Sequence, residues 1–225
     1  MKEIFRLDHG NYLVFIKLLK SISYDPSPCI VENSVMTKIL GTSIIVSDLT
    51  NLIGEDKSFS IVGVKNLLSV SRSVGNNFKH FIVYDDEKYF YIFDFGRLVF
   101  RSYKNISHER ISIPNEANVE ANIGKLEIKN LGKNARFLYS NKTFYAISFS
   151  DDIIYYLDEN FKGLLDPEVE LVSSDFMSIS PENVEDILII SDDEDVLWLK
   201  TIYNIDGIML DQFEPLSTRR KNDII

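Results

Sequence analysis

Asn11-Tyr12-Leu13-Val14-Phe15-Ile16-Lys17-Leu18-Leu19-Lys20-Ser21-Ile22 is the stretch on which the fold turns. Tyr12, Phe15, Ile16 and Leu19 recur at i, i+3, i+4 and i+7, so a helix gathers them into one apolar stripe and turns Lys17 and Lys20 away from it. Tyr24-Asp25-Pro26-Ser27-Pro28 ends the helix, because proline has no amide hydrogen and biases the residue before it towards extended backbone. Residues 29–40, 43–48 and 59–62 are β-rich and read as strands. A second helix is predicted over residues 64–74, with Val64, Leu67, Leu68 and Ser71 on one face and Gly75 as its C-terminal stop. Strands over 78–84 and 89–95 follow, joined by the acidic turn Asp85-Asp86-Glu87, and a strand over 98–103 continues after Gly96.

From residue 104 to 123 the periodicity disappears around Ile111-Ser112-Ile113-Pro114-Asn115, which reads as an interdomain connector. Beyond it the order repeats. A short strand is predicted at 126–128 and a short helix at 131–140, carrying Leu131, Ala135 and Leu138 at i, i+4 and i+7; Gly132 works against that helix by about 1 kcal/mol relative to alanine. A hairpin over 143–149 and 153–157 follows, then a strand at 169–172, a short turn or helix at 175–179, and strands at 186–190, 196–203 and 207–213. The resulting domain reading is 1–104, a connector 105–123, a second domain 124–216 and a tail 217–225. The two halves share a pattern of elements rather than residues.

With 225 residues and 45% hydrophobic content, the chain can bury one large core or two modest ones. No apolar run approaches the roughly 18 residues of a membrane span, and residues 1–7 lack a secretory leader's apolar stretch. The expectation is a cytoplasmic protein with no membrane partner. Cys29 is the single cysteine and the three histidines, His9, His80 and His108, show no ligand spacing, so no metal and no cofactor is expected. No glycine-rich phosphate loop, nucleophile elbow or zinc-protease motif is present, and the acid pairs fall on solvated turns; the reading is of a non-enzyme. The formal charge of −10 argues against nucleic acid unless the basic residues are locally concentrated.

Several phrases in this order resemble the DNA sliding clamp family, and the resemblance is closest to the two-domain clamps of T4-like phages. In the first half they are Phe15-Ile16-Lys17-Leu18-Leu19-Lys20, Ile44-Ile45-Val46-Ser47-Asp48-Leu49 and Ile61-Val62-Gly63-Val64-Lys65-Asn66-Leu67-Leu68. In the second they are Leu126-Glu127-Ile128-Lys129 and Met177-Ser178-Ile179-Ser180-Pro181-Glu182-Asn183. The resemblance implies an α+β fold of two similar domains of the DNA-clamp type, each with antiparallel sheets packed on two short helices. It further implies a homotrimeric ring of six domains with helices lining the hole and sheet edges paired between subunits. The function implied is that of a polymerase processivity factor in DNA replication, with duplex DNA, a DNA polymerase and a clamp-loader ATPase as partners and, if phage-encoded, the host cytoplasm as location. The chain departs from the family between residues 157 and 169, where only Phe161-Lys162-Gly163-Leu164-Leu165 stands in place of a full strand.

If helices line a hole, their outward faces should be basic, because phosphate neutralisation supplies sequence-independent affinity. Lys17 and Lys20 lie off the first stripe, Lys65 and Arg72 lie opposite Leu67 and Leu68, and Lys133 and Arg136 share a face of the third predicted helix. None of these three helices carries an acid, in a chain where acids outnumber bases 34 to 24. The competing account is an ordinary solvated helix face. The fourth predicted helix, 175–179, has no lysine or arginine. The expected groove for client peptides is formed by Ile111, Ile113 and Pro114 of the connector with Phe213 and Pro215. The tail Thr218-Arg219-Arg220-Lys221 reads as frayed, with DNA contact the alternative. Two further readings stand beside the clamp: a monomeric clamp-like processivity factor, and a β-rich viral interaction or structural protein with no DNA role.

Overall fold

The computed structural model describes residues 2–74, 81–86, 89–94, 97–103, 112–125, 135–140, 143–148, 153–157, 169–173, 179 and 181–220. The chain forms two compact units, one of residues 1–40, 45–111 and 205–210, the other of residues 41–44, 112–204 and 211–225.

The first unit begins with β1 (Lys2–Leu7), whose alternation buries Phe5 and Leu7 and exposes Arg6 between them. Helix α1 (His9–Ser21) follows, started by Asp8, whose carboxylate accepts the Asn11 amide at 2.8 Å. It buries Tyr12, Phe15, Leu18 and Leu19. Strands β2 (Cys29–Glu32) and β3 (Val35–Leu40) form a tight hairpin in which Asn33 and Ser34 take φ of 49° and 65°, the left-handed geometry that suits the twist of a two-residue loop. Ser34 then ties that tip to the following loop: its hydroxyl donates to the Gly54 carbonyl at 2.6 Å and accepts the Lys57 amide at 3.0 Å. Strand β4 (Ser43–Asp48), the single turn α2 (Thr50–Ile53), β5 (Phe59–Ile61) and α3 (Val64–Val74) come next. The sheet order is β5-β2-β3-β4. A second, antiparallel sheet has the order β1-β6-β7-β8, with β6 Phe81–Asp85, β7 Tyr89–Asp94 and β8 Arg97–Tyr103. Phe59 joins the two apolar faces, lying 5.0 Å from the Phe5 ring and 6.4 Å, edge-on, from Phe90. Helix α1 packs on α3 and on β1, and α3 also meets β8.

The second unit holds β9 (Glu116–Asn122), β10 (Ala135–Ser140), β11 (Thr143–Ser148), β12 (Ile153–Leu157) and β13 (Val169–Ser173). A 3-10 turn at Pro181–Asn183 leads to β14 (Val184–Asp192), β15 (Leu197–Ile205) and β16 (Ile208–Arg220). One antiparallel run is β12-β11-β10-β13-β16, and β9 pairs with β14, which pairs with β15. A buried polar chain fixes this core: the Tyr203 hydroxyl donates to Gln212 Oε1 at 3.0 Å, and Gln212 Nε2 donates to Ser43 Oγ at 3.0 Å. Each member is satisfied by the next, so burial costs little and register is specified.

Most predicted elements of the first half stand where periodicity put them, with α1 starting two residues early at the Asp8 cap. Four differences are physical. Residues 135–140 are strand rather than helix: Arg136-Phe137-Leu138-Tyr139 is aromatic-rich and pairs with β11 along its length, so sheet pairing overrides a helical spacing that Gly132 already weakens. Residues 116–122 form β9 inside the expected connector, on a segment whose side chains are mostly exposed and therefore show no apolar alternation. Residues 217–220 are not a frayed tail, since β16 continues through Arg220 and pairs Thr218 with Leu171 and Arg220 with Val169. The run 29–40 is two strands broken by the Asn33-Ser34 turn. The predicted strand 126–128, residues 131–134 and residues 175–178 lie outside the described residues.

Candidate nucleic-acid interface

Of the basic residues of the first unit, Lys17, Lys20, Lys65 and Arg72 sit on two helices that pack on each other. On α1, Leu13, Lys17 and Lys20 fall at i, i+4 and i+7 and are all exposed, opposite the buried Phe15, Leu18 and Leu19. On α3, Lys65 and Ser69 are exposed at i and i+4, while Val64, Leu67, Leu68 and Ser71 are buried; Arg72 occupies the i+7 register position of the same stripe. Neither helix contains an acid. The sole acidic partner on α1 among the described residues comes from elsewhere in the chain: Asp206 Oδ1 lies 2.5 Å from Lys17 Nζ, with both side chains about half exposed. Lys20 and Lys65 have no ion pair among the described residues.

Another lysine of this unit faces inwards. Lys38 is fully buried on β3 and donates to the Asp25 carbonyl at 3.1 Å, to Ser27 Oγ at 3.0 Å and to the Ser27 carbonyl. It therefore fastens the α1–β2 loop that the two prolines open. Burial lowers its pKa, and the nearby Lys65 charge acts in the same direction. Burial likewise pushes the neighbouring Cys29 thiol up to about 12, so this cysteine is an inert apolar side chain at neutral pH.

The remaining candidates separate. Lys133 lies outside the described residues. Arg136 stands on β10 with Ile147 as its cross-strand partner, so it is on a strand and not on a helix face shared with Lys133. Of the expected client groove, Ile111 lies outside the described residues, Ile113 is exposed, Pro114 is buried and Pro215 is half-buried. Phe213 is interior, and Lys200 Nζ sits 5.3 Å above its ring while pairing with Glu116 at 2.7 Å and Asp211 at 3.0 Å. Burial works against the Lys200 ammonium, but the two carboxylates outweigh it and raise its pKa. Ile113, Val119 and Val196 are the large exposed apolar residues described in this unit, so its apolar surface gathers on and beside β9 and at the β14–β15 tip.

Sequence reasoning missed Asp206 and Lys38. Asp206-Gly207 between two apolar strands is a legible turn signal, but nothing in it points to Lys17, 189 residues away. Lys38 interrupts an alternating strand at a buried position, and that interruption was the available clue.

No protein-family model and no curated protein matches the sequence. Solved structures do match. A chain of the PCNA2-PCNA3 complex from Sulfolobus tokodaii superposes with a TM-score of 0.58 at 14% identity, covering 94% of this chain and 98% of that one. The proliferating cellular nuclear antigen of Entamoeba histolytica superposes with a TM-score of 0.59 at 11% identity, covering 96% and 99% respectively. Over almost its whole length, therefore, the chain has the α+β fold of the sliding clamps called PCNA.

Proposed function

We propose that this protein is a DNA sliding clamp, a processivity factor that encircles duplex DNA and tethers a DNA polymerase. The observation that carries the reading is the acid-free helix pair: α1 and α3 present Lys17, Lys20 and Lys65 to solvent in a chain of net charge −10. A surface that is acidic overall repels DNA, so concentrating cations on adjacent helices confines the attraction to one face. The clamp-like fold gives that face a use. Strands β8 and β12 end their strand orders among the described residues, and an edge that pairs with a neighbouring copy removes a liability to aggregation while closing a ring. Three copies of this two-unit chain form the ring, in the manner of the two-domain clamps of T4-like phages, and an ATP-driven loader opens it. Arg72 and Lys133 extend the DNA-facing set, and Ile111, Ile113 and Pro215 mark the region where client peptides dock. The role is that of a scaffold, without catalysis, in the cytoplasm of the cell that hosts replication.

Native mass measurement combined with retention on circular DNA tests this reading. A trimer that stays on a closed circle and leaves once the circle is cut supports it. A strictly monomeric species at micromolar concentration that still stimulates a polymerase replaces it with the open processivity factor. A protein that neither assembles nor stimulates a polymerase is an interaction or structural protein instead.

A further inference from the structure

We infer that Asp206 is a built-in competitor for DNA at Lys17, holding that lysine's charge in reserve until a phosphate displaces the carboxylate. The inference rests on the DNA reading of α1 proposed above. Asp206 and Gly207 form the two-residue turn between β15 and β16, with φ of 51° and 90°. Both values are left-handed, the geometry whose twist matches the flanking strands, so the short turn fixes where Asp206 stands on the backbone. Its Oδ1 lies 2.5 Å from Lys17 Nζ, and the Lys17 and Asp206 side chains are 55% and 45% exposed. An incoming phosphate oxygen is the same kind of acceptor as this carboxylate oxygen and reaches the same ammonium from solvent.

The consequence is an uneven face. Lys20 and Lys65 carry no ion pair among the described residues and offer their full charge, whereas Lys17 must exchange one anion for another. An exposed ion pair is worth little, so the exchange is possible, but it returns less than a fresh contact does. It also releases fewer counterions in net terms, because Lys17 is already neutralised before DNA arrives. Resting affinity stays low and the clamp slides, which a fully exposed basic face would oppose.

Asp206→Asn tests this cleanly, since asparagine is favoured at this turn position and only the charge is removed. The full-length protein is titrated against a short fluorescein-labelled linear duplex over a range of salt concentrations. Expected are a roughly twofold to fivefold tightening at low salt and a salt slope steeper by about 0.9. In a Lys17→Ala background the same substitution should give little of either effect. Equal tightening in both backgrounds would mean that Asp206 acts as diffuse negative charge, and it overturns the inference; so does an unchanged affinity in the wild-type background. The double variant Lys20→Ala/Lys65→Ala separates the two levels. If it weakens binding while Asp206→Asn does nothing, the competitor idea fails alone. If it too leaves binding unchanged, the DNA reading falls and takes this inference with it.

Discussion

Lysine is used in two opposite ways in this molecule. On α1 and α3, Lys17, Lys20 and Lys65 are exposed to solvent, and of the three only Lys17 meets an acid of the chain among the described residues, the exposed Asp206. Inside, Lys38 and Lys200 are committed to the chain's own acceptors, the first to backbone carbonyls and a hydroxyl, the second to two carboxylates. A count of basic residues therefore says nothing about a ligand until partners are assigned. The interior pair also separates two ways of keeping an ammonium out of water. Carbonyl dipoles hold Lys38 without cancelling its charge, so burial wins and its pKa falls; carboxylates cancel the charge of Lys200, so its pKa rises.

Removing an interior lysine should therefore cost folding free energy, and removing an exposed one should not. Lys38→Ala is expected to have the largest effect, about 2–4 kcal/mol by urea titration, because it leaves a cavity and strips the Asp25 and Ser27 acceptors of their donor. A loss below about 1 kcal/mol would mean that the loop is held by other contacts. Lys200→Met should cost less, about 1–3 kcal/mol, because the orphaned Glu116 and Asp211 remain partly open to water.

The two lysines should also respond oppositely to alkali. Lys38 has a folded pKa below its ordinary 10.5, so between the two values the unfolded chain binds more protons and stability rises with pH. Lys200 has a folded pKa above 10.5, so its contribution is complete below that value and is lost as pH climbs through the folded one. Denaturation curves of Lys38→Met and Lys200→Met against wild type, taken from neutral to strongly alkaline pH, should show the wild-type advantage growing in the first comparison and shrinking in the second. Curves moving in the same direction would break the contrast.

On the exposed side, alanine at Lys17, Lys20 and Lys65 should shift stability by about 0.5 kcal/mol or less each. Retention on circular DNA should nevertheless fall, with a salt slope shallower by about 0.9 for each of Lys20 and Lys65 and by less for Lys17, which Asp206 already neutralises. Replacing the exposed Lys2 and Lys125 should leave retention unchanged, and equivalence of the two sets would reduce the helix faces to ordinary surface. The smallest expected effect lies at the β14–β15 tip. There the sole tryptophan, Trp198, donates to Asp192 at 2.8 Å, and this bond above all lowers the Asp192 pKa. The tip's contribution is present above the ordinary carboxylate value of 3.8 and lost as pH falls through the lowered one. Tryptophan emission should change in that acidic window in the wild type and show no such step in Asp192→Asn.

The first half is legible in the sequence because its apolar residues are periodic where they are buried. The face of α3 names its own core, and the stripe of α1 names Tyr12, Phe15 and Leu19 of its core but takes the half-buried Ile16 for the buried Leu18; the exposed lysines follow by subtraction. Segment 116–122 is different: its backbone pairs with β14 while its side chains mostly face solvent, and hydrogen bonds between strands leave no trace in hydropathy. At 135–140 the spacing of Leu131, Ala135 and Leu138 imitates a helix, and only the partner strand β11 decides otherwise. The candidate site divides in the same way. Exposure of Lys17, Lys20 and Lys65 follows from local periodicity, whereas the Lys17–Asp206 pair depends on residues that meet only through the fold.

That long-range closure bears on the order in which the protein is made. The first unit needs residues 205–210, and Ser47 donates to the Met209 carbonyl across 162 residues. The second unit in turn reaches back for residues 41–44, through the Gln212–Ser43 bond spanning 169 residues. A nascent chain leaving the ribosome can therefore settle α1 and the β2–β3 hairpin early, because their contacts are local, but it cannot finish either unit until its last strand emerges. During that wait β4 lacks its late partners, and a shortened product ending before residue 205 would leave both units incomplete rather than yield one finished half.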